Sequence, residues 1–531
     1  MTRAAHRRCP FLAALALATL VAVLPPSARA TAPSPTSRPL ARAPAPAEAA
    51  ARPLVIRGAA VFREGAFHPS AAVVTANGRI VAVVPPGDTV PVPDGAIEVD
   101  GTGRFLLPGF IDGHSHVSHL FPQAGVPVED VLPDYLANGI TTLRATGDTL
   151  DVQLRVRAYS EAHPDRAPRL VMASPLFDKS PPYHAGVSLA ITDPEQVPPF
   201  VDSMAALGVQ TFKIYVGMDR RIGSAIIREA RRHGRWATAH LRKYRPLDAI
   251  ADGINSVEHI ESVFNFLTPP EVPEWLLRDE RMHLSAMAVE SLRRKILDEQ
   301  VKTDYAHPRA TELIAAFARN RVMVNPTLIV YRSWMLLSDT PETREHPDLQ
   351  RTPRRLVEYW DSLAHHAGAS PETQALRRRQ FAKLQELTGL LHRSGVELLV
   401  GTDAPFPYVP PGYSFHQELE LLVESGVPPA AVLMAATRNN ARSVNLSSEI
   451  GEIAPGRCAD LVLLDANPLG DIRHSRRITA VVRSGILLTL PAQPAEAQPA
   501  EAPPASPPAC KPACKPWIEP ARQRTSMRAW G

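Results

Sequence analysis

In the run FIDGHSH, one residue separates His114 from His116. Alternate residues of a β-strand share a face, so both imidazoles point the same way and can grip one metal ion. TFKIYVG sets Lys213 on a strand, with Tyr215 on the same face. A lysine facing inward among apolar neighbours is costly unless its charge is removed or paired. RWATAH ends at His240, SVEH at His259 and LLVGTD at Asp403. Singly, each has an ordinary explanation. His pairs arise by chance, an edge lysine reaches water, core histidines find hydrogen bonds, and Asp403 suits a helix N-cap. Jointly, HxH, Lys, His, His and Asp, each closing an apolar run in that order, describe a metal site.

Such a set needs a scaffold that brings many strand ends together. Residues 108–447 alternate short β-like runs with helical ones. The β-like runs are GITTLRA, PRLVMASP, VQTFKIYV, RWATAHL, INSVEHI, VMVNPTLIV and VELLVGTDAP; SAIIREARRHG and PLDAIADG read as helices. This alternation predicts an α/β fold, a (β/α)8 TIM-like barrel whose C-terminal strand ends build the active site. The stretch 262–395 is longer than one repeat needs, and its charged helical runs are candidates for a lid over the barrel mouth. Before the barrel, 54–107 carries strand runs with an Asn77-Gly78 turn, and the same texture returns at 448–490. The two blocks predict one small composite β-sandwich built from both ends of the chain.

The 531 residues are ample for a barrel and a smaller companion, and 45% hydrophobic with 21% charged is the balance of a folded protein. The net charge is only +4, with Arg3, Arg7, Arg8, Lys511, Lys515, Arg522, Arg524 and Arg528 in the end segments. A near-neutral body argues against nucleic acid as the main partner. Much of the excess among 54 prolines falls in 31–53 and 491–531, read as disordered linker and tail. Residues 1–30 have the layout of a signal peptide: basic residues, the apolar run Phe11 to Leu24, then Ala28-Arg29-Ala30. The expectation is an exported protein, periplasmic or secreted, cleaved near Ala30 and without a transmembrane anchor. Cys510 and Cys514, in CKPACKP, could pair in an oxidising compartment but fall short of the four ligands of a zinc site. A homo-oligomer is left open.

The motifs PGFIDGHSH, FKIY, TAH, SVEH and GTDAP, with AATRNNARSVNLSSEIGEIAPGRCADLVLLDANPL, resemble the amidohydrolase superfamily over residues 54–488. The resemblance is to the branch with imidazolonepropionase-like proteins and metal-dependent dipeptidases. It implies two divalent ions, zinc being the first candidate, one held by His114 and His116 and the other by His240 and His259. Lys213, N-carboxylated by CO2, would bridge them; Asp403 would bind the first ion and act as the base. Two departures stand out. Ala145 follows Arg144 where relatives carry an Arg-Asp pair, and KSPPYHAG leaves His184 as the counterpart of a family histidine. His119, His392 and His416 receive hydrogen-bonding or surface roles.

The reaction this implies is hydrolysis of an amide bond in a small substrate such as a dipeptide or N-acyl amino acid. A lactone, phosphotriester or cyclic amide would suit the same centre. Deamination fits less well, because Leu241, Arg242 and Lys243 follow His240 where a glutamate would be needed. A non-catalytic binding protein would not be expected to keep all six ligands. Arg242 is the candidate for a substrate carboxylate, since a guanidinium binds one through two parallel bonds. Tyr215 is the candidate to polarise the scissile carbonyl, with His184 beside it.

Overall fold

The computed structural model describes residues 52–267, 286–336, 347–364 and 370–489. The expected signal peptide, the tail with Cys510 and Cys514, and nearly all of the linker lie outside them.

Turn chemistry places the first strands. Asn77 and Gly78 take φ values of 52° and 73°, the left-handed pair a two-residue hairpin requires, between strands Ala72–Ala76 and Arg79–Val84. LVIRGAAVF breaks at Gly58 into Leu54–Arg57 and Ala60–Arg63, which enter different sheets. The first joins the hairpin and Ile97–Asp100 in a four-stranded sheet. The second belongs to a six-stranded sheet in which Leu461–Leu464 runs antiparallel to Phe105–Pro108. Strands from opposite ends of the described chain therefore share hydrogen bonds. Ile56, Val61, Val73, Ile80, Leu106, Leu461 and Val482 form a buried cluster contributed by both sheets.

The remaining strands are parallel and alternate with helices, an α/β arrangement. Phe110–Ser115, Ile140–Ala145 and Arg169–Met172 pair in sequence order. Thr211–Ile214, Trp236–Ala239, Ser256–Glu258 and Met323–Asn325 do the same. Single parallel bridges join Ala173 to Thr211, Val324 to Leu398 and Ser115 to Ala404. The helix Arg220–Arg232 shows how sequence fixes the outer elements. Asp219 caps it by accepting from the Ile222 amide at 3.1 Å, and Ile222, Ala225, Ile226 and Ala230 are buried.

Two sequence expectations are corrected. VMVNPTLIV is not one extended run: the strand ends at Asn325, and Leu328–Leu336 is a helix. Pro326 lacks the amide a strand needs, and the buried Glu418 carboxylate takes the first helical amides, Leu328 at 3.0 Å and Ile329 at 2.7 Å. VELLVGTDAP forms no regular strand, although Gly113 N bonds Val400 O at 2.9 Å and Thr402 N bonds His114 O at 3.0 Å. The left-handed backbone of Asp403, φ 59°, ends the run.

Of the two charged runs read as lid candidates, the described parts are helices Ala286–Gln300 and Pro371–Arg393. Residues 278–285 of the first lie outside the described residues. Gln300 ties both to the segment after His259, donating to Asn265 at 3.0 Å and accepting from Gln380 at 2.6 Å. No helix among the described residues is long and apolar enough to cross a membrane.

Asn440 clamps the first parallel strand to the run that carries Asp403. Its Nδ2 donates to Ile111 O at 2.5 Å and Val400 O at 2.8 Å, and its Oδ1 accepts from Val400 N at 3.3 Å. Asn440→Ala takes the side-chain partner from Val400 N and Ile111 O and leaves Val400 O only Gly113 N. It should lower unfolding stability by about 2–4 kcal/mol, read as a lower urea midpoint at unchanged slope. An unchanged midpoint would remove the clamp from this account.

Candidate metal centre

Each candidate ligand sits at or just beyond the C-terminal end of a parallel run. His114 ends on Phe110–Ser115 and Lys213 on Thr211–Ile214; His240 follows Trp236–Ala239 and His259 follows Ser256–Glu258. The structure brings them together. Ring centroids lie 5.5 Å apart for His114 and His116, 4.7 Å for His114 and His259, and 4.4 Å for His240 and His259. Asp403 Oδ1 is 2.8 Å from His116 Nε2 and 3.4 Å from His114 Nε2. Donor atoms of His114, His116 and Asp403 all lie within 4.8 Å of one another.

The outer ring nitrogens are held from behind. His114 Nδ1 faces Glu258 Oε2 at 2.8 Å, His116 Nδ1 lies 3.5 Å from Asp148 Oδ2, and His259 Nδ1 meets Thr327 Oγ1 at 2.9 Å. A carboxylate behind Nδ1 places the proton there and leaves Nε2 free to bind a metal, which is how ligand histidines are commonly fixed. Glu258 is itself gripped by Arg144 Nη2 and by Thr238 Oγ1 at 2.6 Å.

Backbone strain concentrates here as well. His259 and Asp403 take φ values of 66° and 59°, a left-handed conformation that non-glycine residues adopt at a cost and that gathers at functional sites. Gly401 is needed for close approach. A Cβ there would lie 2.5 Å from His114 Cβ and 2.6 Å from Asn325 Nδ2.

Electrostatics keep three of the four candidate ligand histidines neutral, as metal binding requires. Burial, aided by the Lys213 charge, drives His114 down to about 4. Burial and His114 take His259 to about 3, and burial with His259 holds His240 well below its ordinary value. His116 differs: burial opposes its charge, but Asp148 and Asp403 override it and push the ring up to about 9. Burial brings Lys213 down to about 8, against the pull of Glu258. For Asp403 burial favours the neutral acid, yet His114, His116 and His259 hold the carboxyl far below the usual range.

The candidate substrate residues line the same region. His184 Nε2 meets Tyr215 OH at 3.0 Å, and the Tyr215 ring stands edge-on to His240 at 5.5 Å. Arg242 does not stand apart from the protein's own acids: its Nη2 donates to Glu261 Oε1 at 3.1 Å. His416 is buried and bonded to Ser475 Oγ at 2.8 Å and Asn138 O at 3.2 Å, a hydrogen-bonding role as expected. Sequence reasoning gave no part to Glu258 or Asp148 and set His119 aside. His119 stacks on His116, centroids 3.9 Å apart and planes 4° apart, and its donor groups with those of His116 and Asp148. Glu258 beside a ligand in SVEH, and Asp148 in the turn TTLRATGD, were the only signals available.

The residues fit metal ions. Lys213 Nζ and His240 Nε2 are enclosed and have no hydrogen-bond partner, an arrangement costing about 1–3 kcal/mol per buried group unless something binds there. Neutral imidazoles beside a carboxylate are a donor set suited to divalent transition ions.

Comparison with known proteins agrees with this chemistry. The Amidohydrolase family model matches residues 105–488. An imidazolonepropionase of Rubrobacter xylanophilus is 24% identical over 459 residues, covering 79% of this chain and 91% of that protein. Among solved structures, bottromycin amidohydrolase aligns with a TM-score of 0.64 at 23% identity, covering 85% of this chain and 92% of that one. A Xaa-Pro dipeptidase with methionine bound in its active site aligns at 0.57 and 16% identity, covering 82% and 100%. These likenesses bring with them a TIM-barrel-containing α/β fold and a family that binds divalent metals. With its model spanning most of the sequence, the chain belongs to the amidohydrolase family and is a hydrolase acting on carbon–nitrogen bonds.

Proposed function

We propose that this protein is an exported hydrolase that cleaves the amide bond of a dipeptide or N-acyl amino acid at a two-metal centre. The observation that carries the reading is Lys213 Nζ, buried without a partner, its charge felt by His114, His240 and His259 and opposed by Asp403. His114, His116 and Asp403 would hold one ion, His240 and His259 the second, and N-carboxylated Lys213 both, with zinc the first candidate. When bound, such ions supply Lewis acidity, acidifying water and polarising a carbonyl. The chain's own residues do the rest. Asp403, held ionised, accepts the proton of the attacking water and delivers it to the leaving amine. Tyr215 OH, oriented by His184, donates to the oxygen on which charge develops.

The scaffold follows from the same reading. The bridges Ala173–Thr211, Val324–Leu398 and Ser115–Ala404 support closure of the parallel strands into one eight-membered barrel. The shared antiparallel pair Leu461–Leu464 and Phe105–Pro108 supports a composite sandwich beside it. The helices Ala286–Gln300 and Pro371–Arg393 would cover the mouth. Export predicts a mature chain starting at Thr31; an intact mass that retains residues 1–30 contradicts it.

Arg242, whose charge acts on Tyr215 and His240, would exchange Glu261 for the substrate carboxylate. An N-acyl amino acid should therefore be preferred over its C-terminal amide by about tenfold to a hundredfold in kcat/KM, a preference Arg242→Ala largely abolishes. Equal turnover of acid and amide by the wild type excludes this role. It would favour the alternative substrates, a cyclic amide, lactone or phosphotriester.

A further inference from the structure

Arg144 stands on the Ile140–Ala145 strand with its side chain fully buried. Its Nε donates to Gly113 O and its Nη2 to Glu258 Oε1, both at 2.5 Å. Its Nη1 is enclosed and has no hydrogen-bond partner. Lys213 Nζ is in the same condition. Arg144 bonds Glu258, and Lys213 feels the same carboxylate electrostatically. Thr238, the register partner of Lys213, donates Oγ1 at 2.6 Å to the same Glu258 oxygen that receives Arg144. The Arg144 charge also bears on Lys213 itself. Two buried side chains close to one glutamate's field thus each keep a bare donor where water does not reach. An anion with acceptor oxygens, built on Lys213, would resolve both the charge and the donors.

We propose that Arg144 is the positioning residue for a carbamate on Lys213, its Nη1 donating to a carbamate oxygen. The proposal rests on reading Lys213 as carboxylated. In that step the uncharged Lys213 amine gives its lone pair to the carbon of CO2, forming an N–C bond. One C=O electron pair moves onto oxygen to make the carboxylate, and the surplus proton on nitrogen leaves to water. A potential cation becomes an anion within the field of Glu258, and the Arg144 charge offsets that repulsion. A lysine in place of Arg144 keeps a charge for Glu258 but cannot present the same planar fork of donors.

The test uses zinc-loaded protein equilibrated with ¹³C-bicarbonate and read by ¹³C NMR. Alongside it, the bicarbonate concentration that half-restores zinc uptake by stripped, CO2-depleted protein is measured. Wild type should show a carbamate carbon resonance that is absent in Lys213→Ala. Arg144→Lys should lose most of that resonance, and its half-restoring bicarbonate concentration should rise at least tenfold. Undiminished resonance and an unchanged requirement in Arg144→Lys overturn the proposal while leaving the carboxylated lysine standing. No resonance in the wild type removes the carboxylated lysine and this proposal with it. Removing one member of a buried ion pair can prevent folding. If Arg144→Lys fails to fold, the charge-balanced Arg144→Met/Glu258→Gln is compared with Glu258→Gln alone. Equal resonance in those two overturns the proposal, and a weaker signal in the double variant supports it.

Discussion

Asp403→Asn should fold normally and lose about a thousandfold in kcat, the middle of the range expected when a general acid–base group is removed. The asparagine keeps an oxygen where Oδ1 now lies, 2.8 Å from His116 Nε2 and 3.4 Å from His114 Nε2. It cannot accept a proton. Because the neighbouring histidines hold the carboxyl far below the usual range, the wild-type group is ionised and ready as a base throughout the neutral region. KM should change little, since the role lies in the transition state. Steady-state kinetics on an N-acyl amino acid decide the matter, with metal content measured alongside. Activity within tenfold of wild type would assign the proton transfer to another group.

Lys213→Met should abolish activity and lose one metal equivalent while making the metal-free protein more stable. The amine is 1% exposed and unpaired, and burial already weakens its charge. Replacing it with a thioether of similar length removes an unsatisfied polar group worth about 1–3 kcal/mol. Stability and function therefore move in opposite directions, which a purely structural lysine would not do. Lys213→Ala should lose activity and one metal equivalent together and regain part of both with a small carboxylic acid. A variant that is less stable yet fully active contradicts the bridging role.

The site was legible because its ligands punctuate apolar runs, and a polar residue at the end of a parallel strand is visible in one dimension. Lys213 and His259 illustrate this: one stands next to the end of a buried strand and the other just beyond one. What supports the ligands was not legible. Glu258 and His114 lie 144 positions apart, and His116 and Asp148 follow two different, neighbouring strands, so their pairing exists only once strands are side by side. Arg242 was read as facing a substrate carboxylate because the basic run gives no hint of Glu261, 19 residues on. The run at Leu328 read as strand because TLIV is β-prone. Glu418, 90 residues away, accepts its first amides and makes it a helix. Local propensity was outweighed by one buried carboxylate.

The most direct test is metal titration of the chelated, CO2-equilibrated protein with zinc, following bound metal and amide hydrolysis together. The account predicts no turnover in the metal-free protein, two equivalents bound per chain at saturation, and amide cleavage that appears as the sites fill. Undiminished amide hydrolysis by protein carrying no metal would contradict it.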